Sequence, residues 1–153
     1  MSAAPPHSPI TSRLLDALHA EAITLATQAR DYFDGMGQAD RGRMDPGARV
    51  TFACEALKVS TRLMQVVAWL LSRRAADAGE ISPEMLGTPE RRLGEAADTD
   101  LDILATLPLG ARAIISASVE LYHRVSRLDQ GLGDTDPPPD GARGLIDRLS
   151  REL

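Results

Sequence analysis

At 153 residues with a net charge of −5 and a pI near 5.1, the chain is long enough for one domain with a sizeable core, and its charge weighs against general nucleic-acid binding, which needs a basic footprint. Hydrophobic residues make up 43% of the chain but aromatics only 3%. With Ala and Leu plentiful, that balance argues against a β-sandwich and predicts an all-α protein.

The N-terminus, Met-Ser-Ala-Ala-Pro-Pro-His, lacks the charged start and apolar run of a signal peptide. Residues 1–7 are expected to be disordered. The first helix is predicted over 9–34, opening near Ser8-Pro9 or Thr11-Ser12 and closing near Phe33, before Gly35 and Gly37. Leu14, Leu15, Leu18, Ala22, Leu25, Ala26, Ala29, Tyr32 and Phe33 recur three and four apart on one face, with a polar arc opposite. Residues 35–45 read as a polar, glycine-rich connection, long enough for an antiparallel return.

Asp45-Pro46-Gly47 is a helix start, because aspartate caps free N–H groups and proline fits the first turn. Gly79 is the stop, so a second helix over 46–78 would span roughly 50 Å at 1.5 Å per residue. One of its sides carries Val50, Ala53, Cys54, Leu57, Met64, Leu71 and Ala75; an adjoining side carries Phe52, Ala56, Val59, Leu63, Val66, Val67 and Leu70. Covering an arc of about 240° at 100° per residue takes two partner helices, or one helix and a second subunit. The only cysteine, Cys54, reads as a buried structural thiol on this apolar side. It cannot form an internal disulfide, which agrees with a reducing cytoplasm. The longest apolar stretch near the helix centre, Val66–Leu71, falls far short of the ~20 residues a membrane span requires.

Residues 81–107 form a long connection with Pro83, Pro89 and an acidic patch from Glu95 to Asp102; short helical turns are expected at 89–94 and 100–105. The third helix is predicted over 108–130. Ala111, Ile114, Ser118, Leu121, Val125 and Leu128 alternate three and four apart, the seam spacing of a bundle. The expected domain is thus a three-helix antiparallel bundle over 8–131. After Gly131, the stretch Gly133 to Gly141 with Pro137-Pro138-Pro139 predicts a flexible tail over 132–153. Its end, with Leu145, Ile146, Leu149 and Leu153, could form a short amphipathic docking element, marginal alone in water.

Chemistry is sparse. His7, His19 and His123 show no metal-ligand spacing, and no phosphate-cradling glycine loop is present. The carboxylates concentrate in the connection and tail, as solvating charges do. No catalytic residue, cofactor or metal is predicted, and the chain reads as a non-enzyme.

One strip of the second helix stands apart: Glu55, Lys58, Arg62, Gln65, Trp69 and Arg73. Gln65, Trp69 and Arg73 are successive i, i+4 neighbours, with Arg62 a turn away. Tryptophan and arginine often dominate interface energetics, so Arg62, Gln65, Trp69 and Arg73 are candidate partner-binding residues. The alternative is that Trp69 covers a neighbouring helix and the arginines pair with acids such as Glu55. The helix is locally basic in an acidic chain. That ridge could orient an acidic partner or neutralise the protein's own acidic connection.

The run from Glu55 to Leu71, followed by Arg74-Ala75 and Gly79-Glu80-Ile81, resembles the signature helix of the RcdA family, the regulators of CtrA degradation. The resemblance continues at Glu21-Ala22, at Ala29 to Phe33 and at Leu121 to Asp129, covering most of residues 8–131. It implies a three-helix bundle that forms a homodimer, catalyses nothing, and acts in the cytoplasm as an adaptor delivering client regulatory proteins to the ClpXP protease, alongside other adaptor proteins. Lys58 and Ser60 stand where the family pattern has arginine and threonine, and the tail has no recognisable counterpart. No membrane or nucleic-acid partner is implied. The competing readings are a small DNA-associated helical regulator, disfavoured by the long connections and the charge, and a purely structural helical dimer within a larger complex.

Overall fold

The structure, a computed structural model, describes residues 9–135. It contains α1 (Pro9–Asp34), α2 (Met36–Gly42), α3 (Pro46–Asp77), α4 (Leu101–Ala105) and α5 (Leu109–Thr135), with a 3-10 turn at Pro83–Gly87. No strand occurs among the described residues.

The ends of α3 are set by local chemistry. The Ala48 N–H donates to Asp45 Oδ1 at 2.8 Å, and Pro46 occupies the first turn, where its missing N–H costs no helical bond. At the other end Gly79 adopts φ +76°, the left-handed position that favours glycine. The Glu80 N–H then reaches back to the Ala75 carbonyl and the Gly79 N–H to that of Ala76, satisfying carbonyls that the helix leaves free.

Helix α1 runs antiparallel to α3, with Arg74 paired to Asp16 near one end and Phe33 against Phe52 near the other, ring centroids 5.5 Å apart. Helix α5 does not alternate in turn. Arg62 meets Ser118 and Trp69 meets Asp129, so residue numbers rise together along the pair and α5 is parallel to α3. The order is up, down, down, in place of the fully antiparallel bundle expected. The chain must therefore climb back along the bundle between Asp77 and Leu109, which explains the length of that connection. Within it, α4 forms over 101–105 as expected, a single turn closes at 88–92, where the Arg91 and Arg92 N–H groups donate to the Thr88 carbonyl, the chain runs extended from Leu93, and a 3-10 turn occupies 83–87.

The core is apolar along all three long helices: Leu15, Leu18, Ala22 and Leu25 from α1, Phe52, Val59, Leu63, Val66 and Leu70 from α3, Ala111, Ile115, Leu121 and Val125 from α5. Two elements depart from expectation. The connection at 35–45 contains α2, whose Asp40 Oδ2 accepts a 2.7 Å hydrogen bond from the Tyr32 hydroxyl. Helix α5 continues past Gly131 to Thr135. Isolated glycines weaken a helix by only about 1 kcal/mol each; the proline run beginning at Pro137 is the stronger barrier, because it disfavours helix in the residue before it.

Burial and the bond to Asp40 raise the Tyr32 phenol above its ordinary value of 10.0. A group whose folded-state value is raised contributes stability that is intact below its unfolded value and lost as pH rises through and beyond it. Thermal unfolding of the wild-type chain should therefore lose midpoint steadily above pH 10, and Tyr32→Phe should flatten that decline in a pH series read by circular dichroism.

Candidate protein-interaction surfaces

Helix α3 has two contrasting faces, and of the two readings of the polar strip the structure shows the one in which Trp69 packs on a neighbouring helix and the cations pair within the chain. The polar strip lies inside. Glu55, Arg62 and Trp69 are each no more than 2% exposed, while Lys58, Gln65 and Arg73 are half-buried. What covers them is the climbing segment 88–100, which lies in the angle between α3 and α5.

The cover is held by side chains reaching for its backbone. Arg62 donates to the Ala97 carbonyl through Nε at 3.2 Å and Nη2 at 2.8 Å, to Thr99 Oγ1 at 2.7 Å, and to Ser118 Oγ on α5 at 3.2 Å. The Thr99 hydroxyl in turn donates to Glu55 Oε2 at 2.6 Å. Lys58 Nζ donates to Glu55 Oε1 at 2.8 Å and to the Asp98 carbonyl at 3.2 Å. Gln65 Oε1 accepts from the Gly94 N–H at 3.1 Å, and the Tyr122 hydroxyl donates to the Gly94 carbonyl at 2.7 Å. A Cβ at Gly94 would lie 2.3 Å from Gln65 Oε1, so a larger residue would push the Gln65 amide aside and cost this bond. An extended segment has no ladder of its own, and buried backbone groups need partners; the strip supplies them. Burial lowers the Arg62 value, and Glu55 and Asp98 oppose that shift.

The lower end of the cover is clasped at Asp129, 5% exposed. Its Oδ1 accepts the Trp69 indole N–H at 2.8 Å, and Arg92 Nε donates to Oδ1 and Oδ2 at 2.9 and 3.0 Å. Arg73 Nη2 stands 3.6 Å from Oδ1, with its guanidinium 4.8 Å from the Trp69 ring centroid. Arg62, Gln65, Trp69 and Arg73 are therefore brought together, but as anchors for the protein's own chain. The basic ridge serves the acidic connection. The other candidate contacts, Leu145, Ile146, Leu149 and Leu153, lie outside the described residues.

The outer face of α3 is apolar. Val50, Leu57, Met64 and Leu71 are 64%, 68%, 67% and 51% exposed, and their spacing is seven residues throughout, a seam of coiled-coil period. Cys54 is exposed among them, which corrects the expectation of a buried thiol: α1 covers only the adjoining side of α3. Between α1 and α3 the stripe borders an open groove of about 740 Å³ whose lining includes Ala26, Ala29 and Phe33 of α1 and Leu57, Met64, Val67 and Leu71 of α3. The heptad spacing was present in the sequence; which face it occupied was not.

Among the described residues no group of His, Cys, Asp and Glu could hold a metal ion, and no helix is long and apolar enough to cross a membrane. The class so defined is an all-α bundle with a bare apolar face and a polar, strapped one. A family described as a protein of unknown function, DUF1465, matches residues 7–152. The crystal structure of RcdA from Caulobacter crescentus CB15 is similar at 32% identity and a TM-score of 0.63, over 76% of this chain and 88% of that one. The chain belongs to the RcdA family. No curated protein matches it.

Replacing Asp129 with Ala removes the acceptor of the buried Trp69 N–H and the carboxylate that Arg92 and Arg73 share. Leaving that buried donor unsatisfied should lower unfolding free energy by about 1–3 kcal/mol, read from urea denaturation followed by Trp69 fluorescence.

Proposed function

We propose that this protein is a non-catalytic adaptor of regulated proteolysis that works as a homodimer and helps deliver regulatory proteins to the ClpXP protease. Its membership of the RcdA family supports the adaptor role. The observation that carries the dimer is the exposed heptad stripe Val50, Leu57, Met64 and Leu71. Four large apolar side chains along roughly 32 Å of helix, at 1.5 Å per residue, form a patch of the kind that marks an interface.

The charges around the stripe favour a second copy as the occupant. Arg41 and Arg49 are exposed at its Val50 end, and Asp77 and Glu80 at its Leu71 end. A two-fold axis crossing the middle of the stripe pairs α3 with its partner antiparallel and sets each basic end against an acidic one, as a self-complementary interface requires. Tethering then supplies the function: the bundle holds one partner and the segment containing Leu145, Ile146, Leu149 and Leu153 holds another. This arrangement raises the concentration of client near the protease.

The test is reconstituted degradation by ClpXP of candidate clients, comparing the full chain with a truncation after Thr135. Acceleration that disappears on truncation is expected; no acceleration by the full chain, with competent clients and co-factors, refutes the adaptor reading. Leu57→Glu with Met64→Glu should convert a dimer of the full chain to monomer in light scattering without loss of helicity. An unchanged dimer would place the subunit contact elsewhere.

A further inference from the structure

We infer that the angle between α3 and α5 is a peptide-binding groove for an extended segment bearing a carboxylate followed by a hydroxyl, and that the protein's own residues 94–100 occupy it as a releasable stand-in. This inference concerns a different face from the apolar stripe and is independent of the protease reading.

Three observations carry it. First, the segment is bound as a ligand peptide would be. Its backbone is read at Gly94 by Gln65 and Tyr122, at Ala97 by Arg62, and at Asp98 by Lys58. Its side chains are read by Glu55 at Thr99 and by His123 at Asp98, with Nε2 3.0 Å from Oδ1.

Second, the segment contributes no large apolar side chain. Glu95, Ala97, Asp98 and Asp100 are exposed. The apolar anchors lie on either side, with Leu86 and Leu107 buried and Leu93, Ile103 and Leu104 packed against the core. Between those anchors the strap is held by the hydrogen bonds above and the His123–Asp98 contact, with Ala96 half-buried.

Third, the floor beneath it is polar. Glu55, Arg62 and Ser118 are buried in the closed state, and water can take over each of their bonds when the strap lifts, whereas an uncovered apolar floor would have no such compensation. Opening is therefore local, and it leaves the three-helix core intact. The vacated groove favours glycine where the chain meets Gln65, takes a backbone carbonyl at Arg62, and then reads a carboxylate at His123 and a hydroxyl at Glu55.

A tethered strap competes at the high effective concentration of an intramolecular ligand, so the closed protein binds an external peptide weakly. The experiment uses the full chain and a full-length variant in which residues 95–100 are replaced by a Gly-Ser linker of equal length, leaving every groove residue in place. The probe is a fluorescein-labelled synthetic peptide with the sequence of residues 95–101, read by anisotropy. The variant should bind at least tenfold more tightly than wild type, and His123→Ala in the variant background, which removes the partner of the Asp98 carboxylate, should reverse part of that gain. A variant that keeps its helicity and cooperative unfolding but binds no better than wild type overturns the inference.

Hydrogen exchange on the wild-type chain provides the second arm, should the variant fail to fold. The Gly94 amide, the strap N–H that donates to Gln65 Oε1, should exchange at least a hundredfold faster than the amides at the centre of α3, and saturating peptide should alter its exchange but not that of α3. Exchange of both segments together, only on global unfolding, would make the strap part of the core and refute release.

Discussion

The parallel alignment of α3 and α5 is the constraint on which the rest of the molecule depends. Two helices that run the same way cannot be joined by a short turn, so the chain has to return the length of the bundle before α5 begins. That return is made by an extended segment between Gly94 and Asp100 with no ladder to satisfy its backbone. The polar side chains of α3 exist on its inner face for this reason: Lys58, Arg62 and Gln65 donate to, or accept from, the returning chain. A wholly apolar α3 would have packed more simply against α5 but would have left the climbing backbone unpaired.

The same arrangement divides the charges. A chain of net charge −5 places its basic helix directly under its most acidic connection, so that Glu55, Lys58, Arg62 and Asp98 largely neutralise one another. Asp129 balances Arg92 and Arg73 around the Trp69 ring. Burying these groups is tolerable only because each has several partners, since an unpaired buried charge is costly. The consequence for function is an asymmetric molecule. One side of α3 is polar, saturated and covered; the other is apolar and bare. The bare side is the natural place for a permanent partner, and the covered side, held by exchangeable bonds, suits a transient one.

Much of the frame is legible in the sequence. Asp45-Pro46 and Gly79 mark the ends of α3 because capping and left-handed backbone depend on neighbours only a few residues away. The apolar spacing in α1 and α5 likewise located their buried faces. The short helix α2 was not legible: seven residues beginning Met36-Gly37 carry no periodic signal, and the helix is held by Asp40 meeting Tyr32 of α1. The continuation of α5 to Thr135 was hidden behind glycines that weaken a helix without stopping it.

The candidate site was half legible. Grouping Glu55, Lys58, Arg62, Gln65, Trp69 and Arg73 followed from helical geometry alone, and the structure keeps them together. Whether that strip faced solvent or protein turned on the direction of α5 and on Asp129, sixty positions from Trp69, information no local pattern contains. By itself, then, the sequence determined the three long helices, their apolar stripes and the family, because each is written in local patterns of capping residues and of spacings of three, four and seven residues. Only the tertiary structure decided which stripe was covered: the path of the 78–108 connection turns the polar strip inward and leaves Val50, Leu57, Met64 and Leu71 outside, and that path is fixed by packing across the whole bundle.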